Sequence, residues 1–162
     1  MALLLGAVLY SASACSSPEK PEPTPVPPIT RADIDGFWFG LYSDFPSASP
    51  ESVVDEELLA RLVDAMDESE AIDQWPVPST VGQGLSIRLW LKDGNEVAVW
   101  VFMNDPTNDA RIVRSNESAR TSVQYPVYAP ELVALTKELA RQRLTPMEKT
   151  LVAPPDGRWL EE

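Results

Sequence analysis

The chain has 162 residues, the size of one modest domain with short appendages. Its 25 acidic and 13 basic residues give a formal net charge of −12, which argues against a nucleic-acid partner because phosphate binding needs clustered Lys and Arg. There is no histidine and only one cysteine, Cys15, which excludes imidazole-based mechanisms, a disulfide within the chain and multi-cysteine metal sites.

An uncharged apolar run occupies residues 1–14. It is too short to be a permanent membrane-spanning helix, which needs about 20 apolar residues, and it ends in small residues typical of a secretory signal peptide. The segment Ala12-Ser13-Ala14-Cys15 resembles the lipobox of bacterial lipoproteins, in which small residues precede a cysteine that becomes the lipidated N-terminus. The resemblance implies a signal peptide over residues 1–14, lipidation of Cys15, and attachment to the extracytoplasmic side of the cell membrane.

A linker with six prolines follows, from residue 16 to residue 28. Because proline fixes φ and lacks an amide donor, this segment forms neither helix nor sheet, and we expect a polyproline II stalk on the order of 40 Å long. With the lipidated cysteine it makes up residues 15–28, and the folded domain is expected at residues 29–143. This architecture is similar to that of small Gram-positive lipoproteins with one domain on a proline-rich stalk.

The first elements of the domain are predicted as a strand and a helix. The aromatic segment 37–42 is bounded by Gly36 and suits a strand. Ser49 as N-cap and Pro50 at the first helical position predict a helix over residues 50–67, whose apolar residues recur at helical spacing. The prolines and glycines of residues 75–84 indicate a loop.

The strongest pattern is a β-hairpin over residues 85–103, where apolar and polar or aromatic residues alternate on both sides of Asp93-Gly94. A three-residue turn, 92–94, with a left-handed Gly94 pairs Leu89 with Val97 and Ile87 with Val99. This register makes one face of the hairpin wholly aliphatic, and that face is expected to pack on the first helix.

The remaining pattern predicts two shorter strands at 111–114 and 122–125 and a second helix at 130–143. Residues 144–162 contain three prolines and are expected to be an extended tail. The order β-α-β-β-β-β-α predicts an α+β fold with a small antiparallel sheet and helices packed on one face.

Acidic residues are densest between Glu51 and Asp73, where nine carboxylates accompany one arginine. They lie mainly opposite the apolar stripe of the first helix, which is typical of a solvated face. Asp105, Asn108 and Asp109 share a loop that offers oxygen ligands for calcium, but the spacing and central glycine of an EF-hand are missing and turn chemistry explains these residues. We therefore expect no metal, no cofactor and no catalytic residue.

The hairpin face opposite the aliphatic one carries Arg88, Trp90, Trp100 and Phe102. Aromatic rings beside a cation can form a platform for a sugar ring or an extended peptide. Alternatively, the C-terminal helix or the tail around Trp159 covers these residues as a second core layer. We favour the covered arrangement because exposed patches of this size are uncommon on soluble domains.

These patterns predict a membrane-anchored extracytoplasmic lipoprotein domain that acts by binding rather than by catalysis. Its expected partners are the membrane, through the lipid anchor, and a cell-wall glycan or a surface protein. One alternative is a cell-wall or glycan hydrolase that uses paired carboxylates, since such hydrolysis needs only two acidic side chains. Another alternative is a sensory or inhibitory module that acts through a protein partner.

Overall fold

The computed structural model describes residues 22–51, 55–73, 84–102, 108–116 and 118–152. Outside the described residues lie the predicted signal peptide and lipobox with Cys15, residues 16–21 of the proline-rich linker, most of the loop predicted at 75–84, Asp105 and Trp159.

An antiparallel sheet and three helices form an α+β fold, so the predicted fold class is confirmed. The elements in chain order are β1 (Ile34–Leu41), α1 (Glu56–Asp67), β2 (Glu70–Ala71), β3 (Gly84–Leu91), β4 (Asn95–Phe102), β5 (Asp109–Asn116), β6 (Thr121–Tyr128), α2 (Pro130–Arg143) and α3 (Pro146–Val152). The strands lie side by side in the order β1-β3-β4-β5-β6-β2.

The hydrophobic core lies between the sheet and the helices, on what we call the helix face of the sheet. Alternate residues of the strands point to this face because successive side chains of a strand lie on opposite sides. One cross-strand row of the helix face runs through Phe39, Ile87, Val99, Ile112 and Tyr125, all of them buried. The apolar sides of α1 and α2 belong to the same buried cluster.

The predicted hairpin and its register are confirmed. Leu89 pairs with Val97 and Ile87 pairs with Val99, as the three-residue turn requires. Gly94 has a φ of 80°, in the left-handed region, and its amide donates to the Leu91 carbonyl at 3.0 Å.

Substitution of Gly94 tests this turn. We expect Gly94→Val to lower the free energy of unfolding by about 1–2 kcal/mol, because a β-branched residue is strained at positive φ. No atom lies within 4 Å of a Cβ built on Gly94, so the cost is conformational rather than steric. Gly94→Asn is the matched control, since asparagine tolerates this conformation, and urea denaturation compares the two variants. Equal stabilities would contradict a strained position.

The first helix begins later than predicted, and Ser49 does not cap it. Asp55 is the N-cap: its Oδ1 accepts from the amides of Glu57 at 2.9 Å and Leu58 at 3.3 Å. The segment expected to start the helix is instead attached to the outer edge of β1, where the Glu51 amide donates to the Phe37 carbonyl at 2.8 Å. Pairing with the strand edge therefore prevailed over the local signal for a helix start.

Two elements were not predicted. Strand β2 has only two residues, which pair with Tyr128 and Val127 of β6, and so short a segment carries no periodicity. The segment 146–152 is the helix α3 and not part of an extended tail. A capping box accounts for this helix, because the Thr145 amide donates to Glu148 Oε2 at 2.7 Å and the Glu148 amide donates to Thr145 Oγ1 at 3.3 Å.

The boundaries of other elements differ from the sequence-based expectation. Strands β5 and β6 have eight residues each, longer than predicted. The last residues of the linker pack on the domain: Val26 is partly buried against the core, and Ile29 is 4% exposed within it. Arg114 Nη1 also donates to the Pro27 carbonyl at 3.4 Å. The N-terminal segment therefore lies against the domain from Val26 onward.

Candidate functional site

The second face of the sheet, opposite the helices, is rich in aromatic residues, and we call it the aromatic face. It carries the four residues singled out in the sequence, Arg88, Trp90, Trp100 and Phe102, each of them half-buried. Cross-strand pairing adds two residues that the sequence analysis did not include, Trp38 opposite Arg88 and Arg111 opposite Trp100. The signal for Trp38 was present in the alternation of β1, where Phe37 and Phe39 point to the core.

Helix α2 does not cover the aromatic face, because its buried side chains belong to the cluster on the helix face. Cover by the C-terminal helix, one of the two predicted alternatives, is therefore wrong, and the other, the tail around Trp159, lies outside the described residues. A segment after β1 approaches this side instead: the Tyr42 ring lies edge-on to the Trp100 ring, with centroids 5.0 Å apart and an interplanar angle of 80°. The four predicted residues are thus neither fully exposed nor sealed in a second core.

Arg88 and Glu96 form an ion pair on the aromatic face. The residues are diagonal neighbours on β3 and β4, since Glu96 lies opposite Trp90. Arg88 Nη2 donates to Glu96 Oε1 at 2.7 Å and to Oε2 at 2.6 Å, and Nε donates to Oε2 at 3.1 Å. The two side chains are only 12% and 11% exposed, so their charges compensate each other away from water. The Arg88 guanidinium also lies 4.8 Å from the centroid of the Trp90 ring.

A groove of about 450 Å³ lies beside this pair, and we call it the Trp90 groove. The hairpin supplies one wall, and the segment attached to the edge of β1 supplies the other. Its principal lining residues are Ala48, Pro50, Arg88, Trp90, Asn95 and Glu96. An aromatic ring and an ion pair thus line the same concave space, which is the composition of a small-molecule site with a few polar orienting groups. The Asn95 amide at its rim is hydrogen-bonded to Asp93 and Asn116.

Trp100 and Phe102 belong to a different part of the aromatic face. Trp90 lies opposite Glu96, and Trp100 is four residues further along β4, roughly 13 Å away at the rise of a strand. The Arg111 guanidinium lies 5.6 Å from the Trp100 ring centroid, and burial lowers the pKa of this guanidinium. The structure therefore places the four predicted residues on one face but divides them into two groups.

Some carboxylates of α1 and its surroundings are engaged in capping and ion pairs: Asp55 caps the helix, and Glu51 pairs with Arg143. Glu138 of α2 pairs with Arg61, whose hydrogen bond lowers the pKa of the Glu138 carboxyl, and Arg31 pairs with Glu56. Hydrogen bonds also lower the pKa of Asp33, Asp93 and Glu148. A lowered pKa is the opposite of what a general acid requires. In the described ranges, no three acidic or cysteine side chains converge as a metal site.

The chain matches no protein-family model, no curated protein and no solved structure. Among the helices that the structure describes, none combines the length and apolar character needed to cross a membrane.

Proposed function

We propose that this chain is a lipid-anchored extracytoplasmic domain that binds a cell-wall glycan in the Trp90 groove. The observation that carries the proposal is the groove itself, in which the half-buried ring of Trp90 stands beside the buried pair of Arg88 and Glu96. The domain acts by binding, and its site provides contact and orientation rather than a reactive group.

The chemistry of the groove suits a sugar. A tryptophan ring offers a flat apolar surface for the C–H groups of a pyranose ring. The Arg88–Glu96 pair offers donors and acceptors for hydroxyl and acetamido groups. Because the two buried charges already compensate each other, these polar groups keep their positions without a ligand, which reduces the ordering cost of binding.

The position of the N-terminal segment supports a role for this groove in an anchored protein. Val26 and Ile29 pack with the core, on the helix face, whereas the Trp90 groove lies on the opposite face. A chain held at the membrane through Cys15 and the proline-rich linker would therefore leave the groove turned away from its attachment.

Binding to cell walls tests the glycan site. We expect Trp90→Ala to weaken binding of the protein to isolated cell-wall material, measured by cosedimentation, at least about fivefold, because loss of a stacked ring removes more than about 1 kcal/mol of contact. Tyr128→Ala is the matched control, since Tyr128 is an aromatic residue of β6, 40% exposed, far from the groove. Equal binding by the parent protein and Trp90→Ala would contradict the proposed site.

Two further readouts separate the alternatives. Chemical denaturation of Trp90→Ala distinguishes a lost contact from a lost fold, because deletion of a fully buried aromatic residue would cost about 3–5 kcal/mol. Release of soluble sugars from the wall material by the parent protein would support the hydrolase instead. If the parent protein does not bind walls, the proposed function is wrong.

The anchor is tested separately. In a lipoprotein-processing bacterium, we expect the full-length protein to fractionate with membranes and Cys15→Ala to remain unprocessed or to be released. The reason is that the thiol is the acylation site, and the described helices offer no alternative span. Cys15→Ala changes a residue outside the folded domain, so the parent chain is its own control. Equal membrane association of both proteins would contradict lipidation.

A further inference from the structure

Among the residues that the structure describes, the outer edge of β6 has no partner strand over the first half of its length. Strand β2 covers only Val127 and Tyr128, and among the described residues no other strand pairs with this edge. The four residues at the start of β6, Thr121–Gln124, are all exposed. The backbone of this half of β6 is therefore accessible at the edge of the sheet.

The direction of the backbone groups on β6 follows from one hydrogen bond. The Ile72 amide donates to the Pro126 carbonyl at 3.0 Å, so the carbonyl of Pro126 points away from β5. Because these directions alternate along a strand, the amide and carbonyl groups of Gln124 and Ser122 point outward as well. Each of these two residues presents one donor and one acceptor to a strand that would lie alongside.

Natural proteins protect such an edge with charged residues, prolines, bulges or a covering element. The second half of β6 has this protection in Pro126 and β2. The segment from Thr121 to Tyr125 contains no charged residue and no proline. Although the chain has a net charge of −12, two copies of this segment would approach each other without opposing like charges on the strand itself.

We propose that the open edge of β6 pairs with β6 of a second copy of this chain. The pairing is antiparallel and two-fold, with Val123 at the axis. Ser122 of each copy then faces Gln124 of the other, so that all eight outward backbone groups are used. A shift by two residues in one direction would bring Arg120, which lies in the turn before β6, into the pairing. A shift in the other direction would bring in Pro126, which lacks an amide hydrogen. Either shift would leave some of the outward backbone groups unused.

The side chain at the axis agrees with this arrangement. Val123 is 51% exposed and is one of the few large apolar side chains that remain so accessible. It lies on the helix face, in the row of Val97 and Arg114. In the proposed pair, Val123 of one copy lies directly opposite Val123 of the other, which removes both side chains from water.

The symmetry also suits two copies on one membrane. A two-fold axis perpendicular to the sheet keeps both helix faces on one side, and with them the N-terminal segments that begin at Val26. The two Trp90 grooves then lie on the other face, at the opposite ends of the joined sheet. One short pair of strands buries less than the roughly 1,200 Å² of a stable interface, so the association is weak in solution and is favoured where anchoring raises the local concentration.

Disulfide trapping tests the pairing. In the full chain carrying Cys15→Ser, an added Val123→Cys would be the only thiol. A directly opposed pair that is not hydrogen-bonded has Cα atoms about 4.5 Å apart, within the range of a disulfide. We expect Val123→Cys to form a crosslinked dimer at least about tenfold faster than Met147→Cys at equal concentration, because pairing raises the effective thiol concentration. Met147 is 76% exposed, so the crosslinking rate of Met147→Cys gives the rate expected from random collision.

A second variant guards against nonspecific crosslinking. Ser122→Pro removes an outward amide that has no role in pairing with β5, so the fold should keep its melting temperature while trapping at Val123→Cys falls to the rate of Met147→Cys. Trapping that is no faster than this collision control would overturn the proposal. Trapping that survives Ser122→Pro in a folded protein would overturn it too, since the contact would then not use the strand edge.

Discussion

Glu96→Ala is expected to lower the free energy of unfolding by about 3–5 kcal/mol, one of the largest effects of any single substitution on the aromatic face. Its partner Arg88 is 12% exposed and gives three hydrogen-bond contacts to the Glu96 carboxylate. Removal of the carboxylate leaves a largely buried guanidinium without this counter-ion. Urea denaturation measures the loss of unfolding free energy. An unchanged dependence of this free energy on urea concentration shows that the transition stays two-state.

The double variant Arg88→Met with Glu96→Leu is the matched control. A buried ion pair that is replaced as a whole by apolar residues of similar volume loses little stability. We therefore expect the double variant to be more stable than Glu96→Ala. If the double variant is as unstable as Glu96→Ala, the instability comes from lost packing and not from an uncompensated charge.

Gly40→Ala is expected to cost about 2–3 kcal/mol, because the added methyl group has no room. A Cβ at this position would lie 2.6 Å from Cζ2 and 2.9 Å from Cη2 of the Trp38 indole, which packs over the glycine on the aromatic face. The indole cannot keep this position beside an alanine. Thermal and urea denaturation both report the loss.

A smaller side chain at position 38 separates steric overlap from other causes. In the double variant Gly40→Ala with Trp38→Leu, the alanine no longer meets an indole, so the cost of Gly40→Ala should fall by more than half relative to its cost in the parent chain. The comparison is a double-mutant cycle, whose coupling energy isolates the contact between the two residues. Additive costs would show that the strain at Gly40 arises elsewhere.

The register of the hairpin was predictable because its determinants are local. Alternation assigned the faces, and a glycine at the turn selected the register in which Leu89 meets Val97. Helix α2 was equally predictable, since Pro130 begins it and Arg143 ends it as expected. In these elements, turn chemistry, helix signals and burial pattern agree, so no distant contact overrides them.

The start of α1 and the existence of β2 depend on contacts between distant segments. Glu51 pairs with the edge of β1, and Glu70–Ala71 pair with the end of β6. A short segment whose sequence favours the start of a helix can instead bind to a nearby strand edge. The sequence of the segment alone does not show that this edge is available. Helix α3 differs, because its capping box was present in the sequence and could have been recognised.

The candidate site was predictable as a face but not as a groove. Period-two alternation places Arg88, Trp90 and Trp100 on one side of the hairpin. It does not show that Glu96 neutralises Arg88, or that Pro50 from a separate segment forms the opposite wall. The separation of Trp90 from Trp100 was implicit in the register, whereas the concave space between hairpin and segment is a tertiary property.

The bond from the Glu51 amide to the Phe37 carbonyl has a consequence for how many chains can join. It attaches a neighbouring segment to the far border of the sheet, at β1, while the first half of the opposite border, at β6, is exposed. A sheet that can grow from only one border reaches its limit when two such borders meet. The proposed two-fold contact would therefore close on itself, and no accessible border would remain for a third chain to extend the sheet.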